Sequence, residues 1–146
     1  MEPNVPRRIL VPINGGNTDT DAVRIGCRLA RRQKATVYVV TVLEVRRGLA
    51  LGAVQQAEID QAELWLDAAE AIGKGLDVEV TTELLQAREA GPAIIDEIRE
   101  LRADMVVLGV PWRQRFGEFH MGKTAPHVLR HASCRVVLIR EESSEV

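Results

Sequence analysis

The run Thr36-Val37-Tyr38-Val39-Val40-Thr41-Val42-Leu43-Glu44-Val45 is β-branched and almost wholly apolar. A strand with one wet face alternates apolar and polar residues; one that is apolar on both faces belongs inside a parallel sheet covered by helices on each side. Outward from it, the same grammar repeats. Upstream, Arg8-Ile9-Leu10-Val11-Pro12-Ile13 is a short apolar run ending at Asn14-Gly15-Gly16, which reads as a buried strand entering a turn. Between the two runs, Thr18 to Asp21 supplies helix-start residues. Ala22, Ile25, Leu29 and Ala30 then recur at helical spacing, and Arg31, Arg32 and Lys34 suit a helix C-terminus.

Downstream, a loop over Arg46 to Gly52 leads to a helix from Val54 to Ile72. Ala57, Leu64, Ala68, Ala71 and Ile72 are its expected inner face, and Gly73-Lys74-Gly75 its stop. Glu58, Asp60, Glu63, Asp67 and Glu70 form its solvated side. Val78 to Leu85 alternates enough to suggest a strand near a sheet edge. Gly91-Pro92 opens a third helix with Ile94, Ile98 and Leu101 as its stripe, and Asp104 to Val110 is a fourth strand. Pro111 to Met121 reads as irregular, a short helix follows from about Lys123 to Ala132, and Arg135 to Arg140 is the last strand. Alternation of this kind predicts an α/β fold: a doubly wound, Rossmann-like parallel sheet of five strands with helices on both faces. Ligands of such sheets sit beyond the carboxyl ends of the strands where strand order reverses.

The 146 residues suit a single domain over 1–146, with a core over 8–140, a flexible lead-in over 1–6 and a mobile tail over 141–146. Hydrophobic residues at 46% and charged residues at 27% are ordinary for a soluble globular chain. The net charge of −2 argues against a general nucleic-acid binder, which would be basic throughout. From Trp112 to Arg135, however, Arg113, Arg115, Lys123, Arg130 and Arg135 face one carboxylate, Glu118. A local basic patch of that size suits a small anion. No apolar run reaches the roughly 18 residues of a membrane span, so neither a membrane nor nucleic acid is an expected partner. Cys27 and Cys134 lack CxxC spacing and no secretory signal is evident, so reduced thiols in a cytoplasmic protein are expected.

The segment Gly109-Val110-Pro111-Trp112, nine residues, Gly122-Lys123-Thr124, then a helix and Ala132-Ser133-Cys134-Arg135-Val136-Val137-Leu138-Ile139, resembles the universal stress protein family. Members of that family show a strand ending in glycine, G-x2-G-x9-G-[ST], a helix, a small-Cys pair and a final apolar strand. The opening Ile9 to Gly16 is similar as well, and the element order matches from Arg8 to Arg140. The resemblance implies an adenine nucleotide, ATP or another with Mg2+, bound by a regulatory or sensory module of stress response. Carried over by position, Pro12, Ile13, Asn14 and Val42 would line the base and ribose, and Leu108, Gly109, Gly122, Lys123 and Thr124 would hold phosphates, with Arg113 and Arg115 as added cations. The resemblance further implies a homodimer joined through the last strand, Val136, Val137, Leu138 and Ile139; an apolar edge strand needs such a cover, unless it is central within one monomer.

Three positions depart from the family pattern. Asn14 stands where the family has aspartate, Trp112 in place of the second glycine, and Lys123 in place of the hydroxyl residue. The Trp112 indole can either fill the cavity or line it. Lys123, with Arg113 and Arg115, offers charge in place of backbone contacts.

Two other readings compete. Gly117 to Thr124 satisfies G-x4-G-K-[ST], the phosphate loop of P-loop NTPases, but Pro111 to Phe116 separate it from the preceding strand. A ligand-free interaction module of the same fold is the other. His127 and His131 share a helical face with His120 nearby, which invites a metal; exposed helix histidines are the expectation, with no metal and no catalytic residue assigned. Any ATP hydrolysis should be slow or absent, for lack of a placed base. Cys27 reads as a packed core residue, Asp19 and Asp21 as helix-start acids.

Overall fold

The structure is a computed structural model and describes residues 5–50, 52 and 54–143. The parts of the expected lead-in and tail at residues 1–4 and 144–146 lie outside the described residues, as do 51 and 53 of the loop before the second helix. Chain order is β1 (Arg8–Ile13), α1 (Asp19–Arg31), β2 (Thr36–Glu44), α2 (Gln56–Gly75), β3 (Val80–Ala87), α3 (Ala90–Leu101), β4 (Met105–Val110), β5 (Gln114–Arg115), β6 (Glu118–Phe119), α4 (Thr124–His131) and β7 (Arg135–Arg140). Five strands form one parallel sheet in the order β3-β2-β1-β4-β7, the doubly wound α/β arrangement that the apolar runs predicted. The last strand is an edge strand, as is β3.

Side chains of successive strand residues point to opposite faces, so each apolar run feeds two cores. Ile9, Val11, Ile13, Val37, Val39, Met105 and Val107 meet Val23, Cys27 and Ala30 of α1 and Leu66 and Ala69 of α2. On the other face Leu10, Val40, Val106, Leu108 and Val110 meet Ile94, Ile95 and Ile98 of α3 and Ala125 and Val128 of α4. Fully burying one such side chain is worth about 1.5–3 kcal/mol. The buried Cys27 is a core residue as expected, and burial pushes its thiol pKa up, which keeps it protonated and unreactive.

Helix phases differ from those expected. In α1 the sheet-facing residues are Ala22, Val23, Gly26, Cys27 and Ala30, while Leu29 is exposed. A Cβ at Gly26 would come within 2.9 Å of the Val11 side chain, so α1 lies close on β1. In α2 the inner face is Ala62, Leu66, Ala69 and Gly73; Ala57, Leu64, Ala68 and Ala71 are exposed. Alanines on several sides of that helix leave its phase to the larger Leu66 and Trp65. α2 ends at Gly75, within the expected stop Gly73-Lys74-Gly75, and Gly73 is buried where a side chain would run into Val80. The stretch from Pro111 to Met121 is not wholly irregular either: β5 and β6 form an antiparallel hairpin turning at Phe116 and Gly117, both at positive φ.

Glu97 of α3 is buried, and its carboxyl is pushed up to about 7. Burial is the main cause, followed by a hydrogen bond with Glu83 and then the charges of Glu83, Glu100 and Asp96. Between the usual 4.5 and about 7 the folded chain keeps a proton that the unfolded chain loses. Stability from this group is therefore full below the lower value and drains away as pH rises through the window. Glu97→Gln should raise unfolding free energy by roughly 1–3 kcal/mol at pH 8 and change little at pH 4.5, measured by urea denaturation at both pH values. An equal effect at the two pH values would refute the assignment.

Candidate functional site

The pairing of β1 with β4 covers Ile9–Met105 and Leu10–Val106, whereas β1–β2 continues to Ile13–Thr41 and β4–β7 to Val110–Arg140. Beyond Leu10 and Val106 the registered pairing of the two central strands ends. Their connections also leave on opposite faces, β1 into α1 and β4 toward α4. At that point strand order reverses and a cavity of about 220 Å³ opens at the carboxyl ends.

Nine of its wall residues come from four segments. Pro12, Ile13 and Asn14 end β1, Val42 lies near the end of β2, Leu108 and Gly109 end β4, and Gly122, Lys123 and Thr124 start α4. The structure thus brings all nine of these sequence-predicted positions to one cavity. Arg113 lines it as well; Arg115 does not, its guanidinium lying 5.9 Å from the Phe116 ring centroid on the hairpin. Sequence reasoning missed Asp19, Ala90, Ile94, Val110, Pro111, His120, Met121 and Ala125 in the walls. The signal that could have found Asp19 and Ala90 is that each opens a helix after a strand, where the first turn faces the same crevice.

The β1–α1 turn is held by Asp19. Its carboxylate accepts the amide of Gly15 at 2.6 Å and that of Asn14 at 3.3 Å, while the Asn14 side-chain oxygen accepts the Gly16 amide at 3.0 Å. Burial pushes the Asp19 carboxyl up, and the Gly15, Asn14 and Gly16 amides pull it part of the way back. Asp19 does start α1 as expected, yet its oxygens serve the turn before the helix.

Two glycines are required for different reasons. Gly109 leaves room for the buried Thr18, whose hydroxyl oxygen would lie 2.5 Å from an added Cβ, so that space holds protein. Gly122 has φ +76 with open space around it, and is needed for the left-handed backbone that turns the chain into α4. No side chain caps α4, so its leading amides remain available at the cavity.

Trp112 neither fills nor lines the cavity. Its ring stacks on Phe119 at 5.3 Å and 15°, the Arg140 guanidinium lies 4.6 Å from its centroid, and its amide donates to Glu141 at 2.9 Å. The indole is turned toward β7. The G-x4-G-K-T segment places Glu118 and Phe119 in β6, so it makes a hairpin return and not the single loop from strand to helix that a P-loop needs. The His127 and His131 rings lie 4.4 Å apart, tilted by 42°, and His127 packs over Gly91. Among the described residues no three His, Cys, Asp or Glu side chains gather as a metal site. On the opposite side of the sheet a smaller cavity of about 150 Å³ lies under Trp65, between α1 and α2. No helix among the described residues is long and apolar enough to cross a membrane.

Comparison with known proteins gives a consistent result. The model of the universal stress protein family matches residues 6–140. A universal stress protein of Methanocaldococcus jannaschii is 24% identical over 148 aligned positions, covering 97% of this chain and 86% of the relative. A universal stress protein structure from Archaeoglobus fulgidus superposes with a TM-score of 0.77 at 25% identity, covering 90% of this chain and 97% of the other. The structure of the Archaeoglobus fulgidus universal stress protein in complex with dAMP gives 0.73 at 25% identity, covering 92% and 98%.

Asp19→Ala should leave the Asn14 and Gly15 amides without their acceptor and cost about 1–3 kcal/mol, measured by chemical denaturation. Hydrogen exchange at those two amides should rise in the same variant. Unchanged protection there would show that the carboxylate does not hold the turn.

Proposed function

The chain belongs to the universal stress protein family, and on that footing we propose that it is a regulatory or sensory adenine-nucleotide-binding module of stress response, and not a metabolic enzyme. The observation that carries the reading is the convergence of Pro12, Ile13, Asn14, Val42, Leu108, Gly109, Gly122, Lys123 and Thr124 on one cavity at the point of strand reversal. A relative of known structure is complexed with dAMP, which supports the same ligand class.

Chemically the walls divide in two. Pro12, Ile13, Val42 and Ile94 offer apolar surface to a base, and Asn14 offers an amide for base or sugar hydroxyls. Gly122, Lys123 and Thr124, with the open end of α4, face the phosphate side, and Arg113 adds charge. A cavity of about 220 Å³ sits below the ~300–1,000 Å³ usual for ligand sites, so part of the nucleotide would lie at its mouth. Hydrolysis would be slow or absent, because the one carboxylate in the walls, Asp19, is occupied by the turn amides.

The proposal extends to a cytoplasmic homodimer. β7 is an edge strand with Leu138 exposed, and antiparallel pairing with a second copy through Val136, Val137, Leu138 and Ile139 would satisfy its free backbone edge.

Millimolar AMP or ATP should raise the melting temperature of the full chain, since a ligand that binds only the native state stabilises it. Val42→Trp, which fills the base side, should abolish the shift in a variant still folded by circular dichroism. Absence of any shift with the unaltered chain would instead favour a ligand-free interaction module. For the dimer, Leu138→Lys should convert the species seen by light scattering from two chains to one; an unchanged mass would exclude β7 as the contact.

A further inference from the structure

We infer that the site selects a nucleotide carrying two or more phosphates and holds it without a divalent metal, with Lys123 supplying the positive charge that magnesium would otherwise bring. This rests on the adenine-nucleotide reading and narrows its ligand class.

Three basic side chains line the cavity: Arg113 and His120, which flank the hairpin and are joined by the His120 amide donating to the Arg113 carbonyl at 2.9 Å, and Lys123 at the start of α4. Against them stands a single carboxylate, Asp19, whose oxygens lie 2.6 and 3.3 Å from the Gly15 and Asn14 amides. Magnesium demands six oxygens in near-octahedral order and is usually held by one or two carboxylates together with the phosphates. The Thr124 hydroxyl and the Asn14 side-chain oxygen, which accepts the Gly16 amide, are the other side-chain oxygens of these walls, and Asp19 is their single acid. The residues present therefore do not fit the magnesium expected from the family resemblance. An ammonium brought beside the phosphate oxygens would repel a second cation and neutralise the same charge.

The charge continues past the cavity. Lys123 also lines a neighbouring groove of about 750 Å³, walled by Arg46, Arg47 and Arg88 from the loops after β2 and β3. Of the groove's carboxylates, Glu44 accepts the Ala90 amide at 3.0 Å and Asp96 lies 3.8 Å from Arg99, leaving Glu89 as the third. Arg88 donates to the Arg46 carbonyl at 2.7 Å, and a phosphate chain that extended past Lys123 into this groove would meet Arg46 and Arg47.

Isothermal titration of the full chain with AMP, ADP and ATP, in EDTA and in excess magnesium, tests this. In EDTA, ATP should bind roughly tenfold or more tightly than AMP, and magnesium should weaken ATP binding or leave it unchanged. Lys123→Thr, which restores a hydroxyl, should bring the ATP-to-AMP affinity ratio close to one in EDTA and make magnesium favourable. ATP binding that requires magnesium, or AMP binding as tightly as ATP, would overturn the inference while leaving nucleotide binding intact. Failure of every nucleotide to bind would remove the underlying reading as well.

Discussion

Everything at the candidate site depends on the point between β1 and β4 where strand order reverses and their registered pairing ends. Two strands at the centre of a parallel sheet are its most tightly held part, buried on both faces and hydrogen-bonded on both edges. Here their registered pairing stops at Leu10 and Val106, while their outer partners stay in register to the ends. The opening is therefore framed by the most rigid elements of the chain. Thr18 packed against Gly109 wedges one side, and Asp19 fixes the turn above it. A preformed crevice of this kind spares a ligand the cost of ordering its site.

The loop after β4 completes the walls, and its own stability comes from the sheet edge. Trp112 and Phe119 stack across the hairpin, and Arg140 of β7 lies over both rings, 4.6 and 5.5 Å from their centroids. Aromatic pairs add about 0.5–1.5 kcal/mol beyond their burial, and a cation over the ring adds a further fraction. This cluster turns the bulky indole outward and leaves Arg113, His120 and Met121, its neighbours in sequence, at the cavity. The residue that departs furthest from the family pattern thus acts as an anchor outside the site.

Legibility in the sequence followed side-chain size and the strength of local periodicity. The five long strands were readable because β-branched runs bounded by glycine, proline and polar residues admit few alternatives. The faces of α1 and α2 were misassigned because alanines lie all round α2, and because Leu29 looks like core yet projects beyond the sheet. The hairpin was invisible, since Gln114, Arg115, Glu118 and Phe119 carry no alternating pattern and its turn rests on the positive φ of Phe116 and Gly117. Cavity residues near glycines were legible through the resemblance to the universal stress protein family. His120, Met121 and Ile94 were not, because their place depends on how the hairpin and α3 dock. The buried Glu97 was hidden for a like reason: nothing local marks a glutamate in α3 that meets Glu83 across the fold.

The most direct measurement is an amide chemical-shift titration of the isotopically labelled full chain with an adenine nucleotide. The account predicts saturable shifts at Asn14, Val42, Gly109, Gly122 and Lys123, with the amides around Trp65 and Ala68 across the sheet unmoved. Shifts centred on those two residues, or none at any concentration, would contradict it.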